Sequence, residues 1–338
     1  MIIESIKLTN FRNHTSYQLK CDNTSLILGK NGSGKTSVLE AIYISTRGKS
    51  FRATDAEIIK NGTDFYRIEL KYQNGEQVIV TYDGKIKNFL VLDKKTRRLP
   101  LKNRYPVVLF LPSDLNLISC SPNRRRDYFD RIFSEFDESY HKTLLKYEKS
   151  LKQRNELLKK EYTSPELLFS WNLMLAKYGT ELFQKRQKFI QEINQDLNGI
   201  YRSIAKNQDE VTLLYKTAVD NLETDYIKTL EENFSKDLNL GHTSFGVHHD
   251  DYIFYFNHKV ADGSASRGET RSIILALKFI EANLIYQKQQ QKPIILLDDV
   301  FSELDPVRRQ CLIKNFQDHQ VIITSVEDVS EEIPDILV

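Results

Sequence analysis

The chain has 338 residues, with 48 Lys plus Arg against 46 Asp plus Glu and a net charge of +2, so neither a polyanion sink nor an acidic tail protein is indicated, and any basic surface must be local. That length has room for about two domains. Cys21, Cys120 and Cys311 are odd in number and lack CxxC spacing, which argues against a disulfide framework or a cysteine zinc site; early polar residues in MIIESIKLTNFRNH and the lack of any apolar run near 18 residues predict a soluble, unexported protein of the reducing cytoplasm, with no membrane partner.

Residues 1–30 alternate apolar and polar in IIESIKL and TSYQLK, then run apolar through Leu26, Ile27 and Leu28. Two half-exposed strands and a buried one are expected, followed by a helix from about Lys35. FYRIELKY and EQVIVTY flank Asn74-Gly75 and predict a β-hairpin, and VVLFL at 107–111 predicts a buried strand ended by Pro112. From 123 to 240 strand-like runs largely vanish. Trp171, Leu175, Tyr178, Leu182, Phe189, Ile193, Leu197, Ile200 and Ile204 line one face of a long helix that Ser164-Pro165-Glu166 starts. After Gly241 come YIFYFN, a Gly/Ser loop, a helix from about Thr270, the strand PIILLDD, a helix near 306–318 and the strand QVIIT. Strands alternating with helices at both chain ends predict one α/β domain, 1–122 plus 241–338, interrupted by a helical lobe at 123–240.

Gly29-Lys30-Asn31-Gly32-Ser33-Gly34-Lys35-Thr36 satisfies GxxxxGK[ST] between a buried strand and a helix. Glycines let the backbone N–H groups curl towards phosphate, and the helix N-terminus adds partial positive charge. Lys35 is expected to reach the β and γ phosphates of ATP, and Thr36 to hold Mg²⁺. The acidic partner should end a buried parallel strand, because Mg²⁺ takes hard oxygen ligands. Asp298 fits, 263 residues after Lys35 (298 minus 35). Asp299 would polarise the attacking water. Ser264-Ala265-Ser266-Arg267-Gly268-Glu269 opens the next helix back, either as a second anion-binding end completing another copy's site or as an ordinary helix cap.

In that order, GKNGSGKT, SRGE, ILLDD and Ser302-Glu303-Leu304-Asp305 resemble ABC-type ATPase heads of the SMC and repair class. NFRNH at 10–14, RGKSFR at 47–52, LFLPSDLNLISCSPNRRRDYFDR at 109–131, GVHHDD at 246–251 and SRGETR at 266–271 bring the chain closer to the RecF family. The resemblance implies an α/β P-loop ABC-type head with an inserted α-helical lobe. It implies a weak, DNA-stimulated ATPase that dimerises on ATP as a clamp at gapped or stalled DNA, with RecR and RecO-type partners, recombinase loading and SOS induction. On matching positions, Ser266 and Gly268 would contact the partner's γ-phosphate, Asp305 would lie in the interface loop, and Arg12 would approach phosphate. Thr324 or Ser325 would stand where ABC transporters carry a switch histidine. The family usually reads PEDL and GPHRDD where this chain has PSDL and GVHHDD, and no glutamine occupies the glutamine-loop segment. A transporter motor domain fits less well, for want of the switch histidine and an LSGGQ loop. The 33 residues after Asp305 (338 minus 305) leave no room for the nuclease domain of an overcoming-lysogenisation type.

Basic charge is locally dense. Lys94, Lys95, Arg97, Arg98, Lys102 and Arg104 lie together without an acid, Arg124, Arg125 and Arg126 form a triplet, and Lys142, Lys146, Lys149, Lys152, Arg154, Lys159 and Lys160 follow. Each run alone suits a solvated face; with the resemblance they suggest sequence-independent DNA phosphate contacts.

Overall fold

The computed structural model describes residues 2–160, 162–220, 222–330 and 336–337. In chain order the elements begin with β1 (Ile3–Phe11), β2 (His14–Lys20), β3 (Thr24–Leu28), α1 (Lys35–Arg47), α2 (Asp55–Ile58), β4 (Tyr66–Tyr72), β5 (Gln77–Tyr82), β6 (Lys87–Val91), β7 (Lys94–Thr96) and β8 (Val107–Phe110). Next come α3 (Pro122–Phe136), α4 (Glu138–Leu158), α5 (Pro165–Ala205), β9 (Val211–Lys216), α6 (Glu223–Glu232), α7 (Phe234–Leu240), β10 (Asp251–Phe256), β11 (Lys259–Val260), the single turn α8 (Ala261–Ser264) and α9 (Arg267–Gln289). The chain closes with β12 (Ile294–Asp298), α10 (Pro306–Phe316), β13 (Val321–Ser325) and β14 (Ile336–Leu337). Two compact units result, Met1–Leu115 with Glu281–Val338, and Asn116–Ile280.

In the first unit an antiparallel sheet of order β2-β1-β4-β5-β6-β7 accompanies a parallel sheet of order β14-β3-β13-β12-β8. Helix α1 contacts strands of both sheets. Its Val38, Leu39, Ala41, Ile42, Tyr43 and Ile44 are all buried, and so are Ser37, Glu40, Ser45 and Thr46, so this helix is enclosed on every side where surface helices bury a single stripe. Each buried Val, Leu or Ile side chain among them contributes about 1.5–3 kcal/mol. The helix stops at Gly48, whose φ of 83° lets its N–H reach Ile44 O at 2.8 Å. Ile294 to Leu297 and Val321 to Ile323 are buried on both faces, as a covered parallel sheet requires. The β4–β5 hairpin turns at Asn74-Gly75 as expected, and β6 and β7 extend it beyond what alternation alone revealed.

The second unit is mainly helical, but β9 pairs antiparallel with β10, from Val211 against Phe256 to Lys216 against Asp251. That pairing ties residues after 240 to the helices, so the second boundary falls at 280/281 where the sequence suggested 240/241; the first falls at 115/116 where the sequence suggested 122/123. Residues 241–280 pack with the helices through rings such as Phe129 on Tyr252, 4.2 Å between centroids, and Phe133 edge-on to Tyr252, 6.2 Å. The 41-residue α5 starts at Pro165 behind Ser164, and most of its expected stripe is buried.

Charge inside this unit is paired. Arg186 binds Asp130 at 2.9 Å, Asp250 at 2.9 Å and Val247 O at 2.8 Å. Arg154, fully buried, binds Asp237, Thr243 and Asn172 at 2.7–2.8 Å. The His248 Nδ1 accepts from Tyr147 Oη at 2.7 Å and Nε2–H donates to Thr243 O at 3.1 Å, an arrangement that suits the neutral ring.

Burial, reinforced by His249, pushes the His248 imidazole down to about 4 from an ordinary 6.5. The unfolded chain therefore takes up this proton first, so the stability linked to His248 is complete above about pH 6.5 and is lost as pH falls towards 4. Between pH 7 and 5 this one group should cost on the order of 2 kcal/mol. Urea unfolding of wild type and His248→Gln at both pH values checks it. The variant should lose distinctly less stability on acidification, and equal losses would contradict the account.

Candidate active site

The phosphate loop joins the carboxyl end of β3 to α1. Because β3, β13 and β12 are adjacent and parallel, Ser325 lies beside Leu28 and Thr324 beside Asp298, so three strand ends meet at the loop. Gly29 N–H donates to Ser325 O at 3.3 Å. Thr36 Oγ1 donates to Asp298 Oδ1 at 2.8 Å and lies 3.1 Å from Oδ2. Residues 262 apart in sequence thus meet at one point. Lys35 Nζ folds onto Gly29 O at 2.5 Å and Lys30 O at 3.2 Å.

One glycine of the loop is demanded by its backbone and a second is closely approached by a side chain. At Gly34, φ is 99°, and a Cβ would stand 2.4 Å from His14 Nε2. At Gly29, a Cβ would meet Ser33 Oγ at 2.6 Å. The β1–β2 turn braces the loop from outside, with Asn13 Nδ2 donating to Gly32 O at 3.1 Å and His14 Nε2 lying 3.2 Å from Gly34 O.

Asn31, Gly32, Gly34, Lys35, Thr36, Asp298, Asp299 and Arg12 line one open cleft of about 560 Å³. Asp299 has a left-handed backbone, φ 50°, and its Oδ1 is buried with no hydrogen-bond partner among the described residues. The Thr36 hydroxyl against the Asp298 carboxylate is a pair of hard oxygen ligands of the kind that suits Mg²⁺. Thr324 differs from its expected role at the nucleotide. It is fully buried, donates to Asp298 Oδ1 at 2.8 Å and accepts from Asp299 N–H at 3.0 Å, so it orients the acids from behind.

Cleft residues that the motif reading passed over are Arg52, Ser37 and Glu57, along with Glu40 beneath the wall. RGKSFR was the available signal for Arg52. Arg12 Nε and Nη2 bind the Glu40 carboxylate at 3.0 and 2.8 Å, and Arg52 Nε and Nη2 bind it at 3.1 and 2.9 Å. Burial alone would raise the Glu40 carboxyl, but hydrogen bonds from Arg12, Arg52 and Ser50 hold it below the usual carboxylate range.

Other expected site residues are not among those that line this cleft. Ser266, in the second unit, is exposed and caps α9: its N–H donates to Glu269 Oε2 at 2.6 Å and its Oγ accepts from Glu269 N at 3.3 Å, with Gly268 in the first turn. Asp305, in the first unit, caps α10 by accepting from Arg308 N at 3.1 Å. Lys94, Lys95, Arg97 and Arg98 are exposed on and after β7. The arginine triplet must be corrected. Arg124 is exposed, but Arg125 binds Asp251 at 2.7 and 2.8 Å, and Arg126 binds Asp250 O at 2.5 Å, so neither guanidinium is a free phosphate contact. Arg154 is likewise internal to its unit and unavailable to the basic face of α4. These pairings also give the GVHHDD segment a structural duty, since Asp250 and Asp251 hold Arg186 and Arg125.

A phosphate loop closed by a remote strand-end acid, within a chain interrupted by a helical insertion, defines a P-loop ABC-type ATPase head. Residues 1–325 match the family described as AAA ATPase domain. The chain is 33% identical over 342 residues to the DNA replication and repair protein RecF of Clostridium perfringens, an alignment covering 98% of this chain and 95% of the relative. A solved structure of the recombination mediator protein RecF-ATP in the RecFOR pathway matches with a TM-score of 0.85 at 26% identity, over 97% of this chain and 92% of that one. This chain belongs to the RecF family of DNA replication and repair proteins. The Smc head bound to the C-winged helix domain of ScpA shares the fold, with a TM-score of 0.56 at 16% identity over 99% of this chain and 93% of that one.

Thr324→Val keeps the shape and removes both hydroxyl bonds, leaving a buried carboxylate oxygen and a backbone N–H less well satisfied. A loss of about 1–3 kcal/mol in urea unfolding is expected, restored by Thr324→Ser. If valine is as stable as threonine, Thr324 does not hold the acid pair.

Proposed function

We propose that the protein is an ATP-driven DNA clamp of the cytoplasm, acting in repair and replication. The observation that carries this reading is the Thr36–Asp298 contact, which brings the phosphate loop and the remote strand-end acid into one cleft. In it, Lys35 leaves its carbonyl partners for the β and γ phosphates, and the loop N–H groups of 29–36 bind phosphate oxygens. Thr36 and Asp298 would hold Mg²⁺, which supplies charge neutralisation when bound. Asp299, its Oδ1 buried and unpaired, orients and deprotonates the attacking water.

The cleft so described lacks the second anion-binding end that the family resemblance implies, and Ser266 and Gly268 sit in the other compact unit. An ATP-dependent homodimer resolves this. Each copy's Ser266 and Gly268 complete the other's site, with Asp305 in the interface loop, and the two-fold symmetry makes both sites alike. Lys94, Lys95, Arg97, Arg98 and Arg124 supply sequence-independent contacts to DNA phosphates. Slow, DNA-stimulated hydrolysis opens the clamp. The likeness to a recombination mediator of the RecFOR pathway supports action at gapped or stalled DNA, with RecR and RecO-type partners, recombinase loading and SOS induction downstream.

Sedimentation with ATP and gapped DNA tests the reading on wild type, Lys35→Met and Ser266→Arg. Wild type should dimerise on ATP and both variants stay monomeric. Equal dimerisation of all three sinks the shared site. DNA affinity should fall by about tenfold or more between 50 and 200 mM salt, and affinity indifferent to salt would remove the phosphate contacts.

A further inference from the structure

Glu40 is a carboxylate with no exposed surface, and it faces two arginines on the wall of the nucleotide cleft. Its Oε1 accepts from Arg12 Nη2 at 2.8 Å and Ser50 Oγ at 2.6 Å. Its Oε2 accepts from Arg12 Nε at 3.0 Å and from Arg52 Nε and Nη2 at 3.1 and 2.9 Å. The carboxylate is saturated, yet its single negative charge stands against two guanidiniums; Glu57, whose carboxylate is engaged with Thr54, is the other acid near Arg12 on this wall, so Arg52 carries the less compensated charge beside the cleft. The remaining bonds fix where that charge lies. Arg12 Nη1 is tied to Glu57 O at 3.0 Å and Arg52 Nη2 also reaches Ser37 Oγ at 3.3 Å, while Arg52 Nη1 makes no hydrogen bond among the described residues. Both arginines remain partly exposed, 22% and 36% of the side chain, whereas Glu40 is not.

We infer that Glu40 is a positioning residue that couples Arg12 and Arg52 into one preorganised cation for the terminal phosphoryl group of a nucleoside triphosphate. This rests on the cleft being the nucleotide site. Two guanidiniums sharing a buried acceptor have little rotamer entropy left to lose, so an incoming anion meets donors already aimed. A diphosphate held by the loop alone gains less from the pair. Preference for triphosphate over diphosphate is therefore a property of the Glu40-linked pair, and either arginine without the carboxylate is a mobile side chain. A purely structural carboxylate would affect both nucleotides alike.

The test is equilibrium binding of fluorescent ATP and ADP analogues to the full chain, with urea unfolding as the folding control. Glu40→Gln keeps the shape but turns an amide NH₂ towards a guanidinium. It should weaken ATP binding about tenfold while ADP changes less than about threefold. Arg12→Ala and Arg52→Ala should each cost about tenfold for ATP in wild type and much less in the Glu40→Gln background, since coupled residues are not additive. Should Glu40→Gln fold poorly, Arg52→Lys retains the charge without the fork and should lose the same ATP preference. An unchanged ATP-to-ADP ratio in Glu40→Gln or, where that variant fails to fold, in Arg52→Lys overturns the inference, as does simple additivity of the arginine losses. Lys35→Met separates this from the parent reading: if that substitution leaves nucleotide binding intact, the cleft is not the nucleotide site at all.

Discussion

The hydrogen bond from Thr36 to Asp298 depends on, and reports, the way the two ends of this chain are joined. It exists because β3, from the first thirty residues, lies next to β13 and one strand from β12, both from the last fifty. Covered parallel strands supply the apolar runs, and their carboxyl ends deliver the polar groups that follow them. Helix α1 then leaves from the same point into the core and fixes the loop's exit. A register slip of one residue in β12 would turn Asp298 to the opposite face of the sheet and separate it from Thr36.

Charge is handled differently in the two units. In the second, arginines with little or no exposure are surrounded by acceptors: Arg154 by Asp237, Asn172 and Thr243, Arg186 by Asp130, Asp250 and a backbone carbonyl. Removing one partner would strand a buried charge, which costs more than the intact pair contributes. In the first unit the buried member is the acid, Glu40, and the arginines face solvent. Inversion of the buried partner is what leaves cationic charge at the cleft, where an anionic ligand can meet it.

Much of this was legible from local pattern. The phosphate loop, the strand ending in Asp298, the hairpin at Asn74-Gly75 and the start of α5 at Ser164-Pro165 are each specified by a few neighbouring residues. What escaped depended on distant partners. Arg125 and Arg126 look like a basic run until Asp251 and the carbonyl of Asp250, more than a hundred positions on, are brought beside them. The strand β9 is six residues between helical stretches and is stabilised by β10 across a long connection. Thr324 was legible as a strand-end hydroxyl, but burial decides whether it faces ligand or the acids, and burial is a tertiary property. Glu40 sits mid-helix among apolar residues, where its role becomes visible only with Arg12 and Arg52 in place.

The central claim is that a chain with one phosphate loop and one capped serine loop makes a working site only with a second copy. Mixing decides it most directly. Lys35→Met and Ser266→Arg chains should each be inactive alone, whereas a mixed dimer holds one site built from an intact phosphate loop and an intact Ser266. Because neither variant pairs with itself, every dimer in an equimolar mixture is mixed and holds one intact site of two, so steady-state ATP hydrolysis should recover to about half of wild type when the sites act independently. A mixture that stays at the sum of its two inactive components would contradict a site shared between copies.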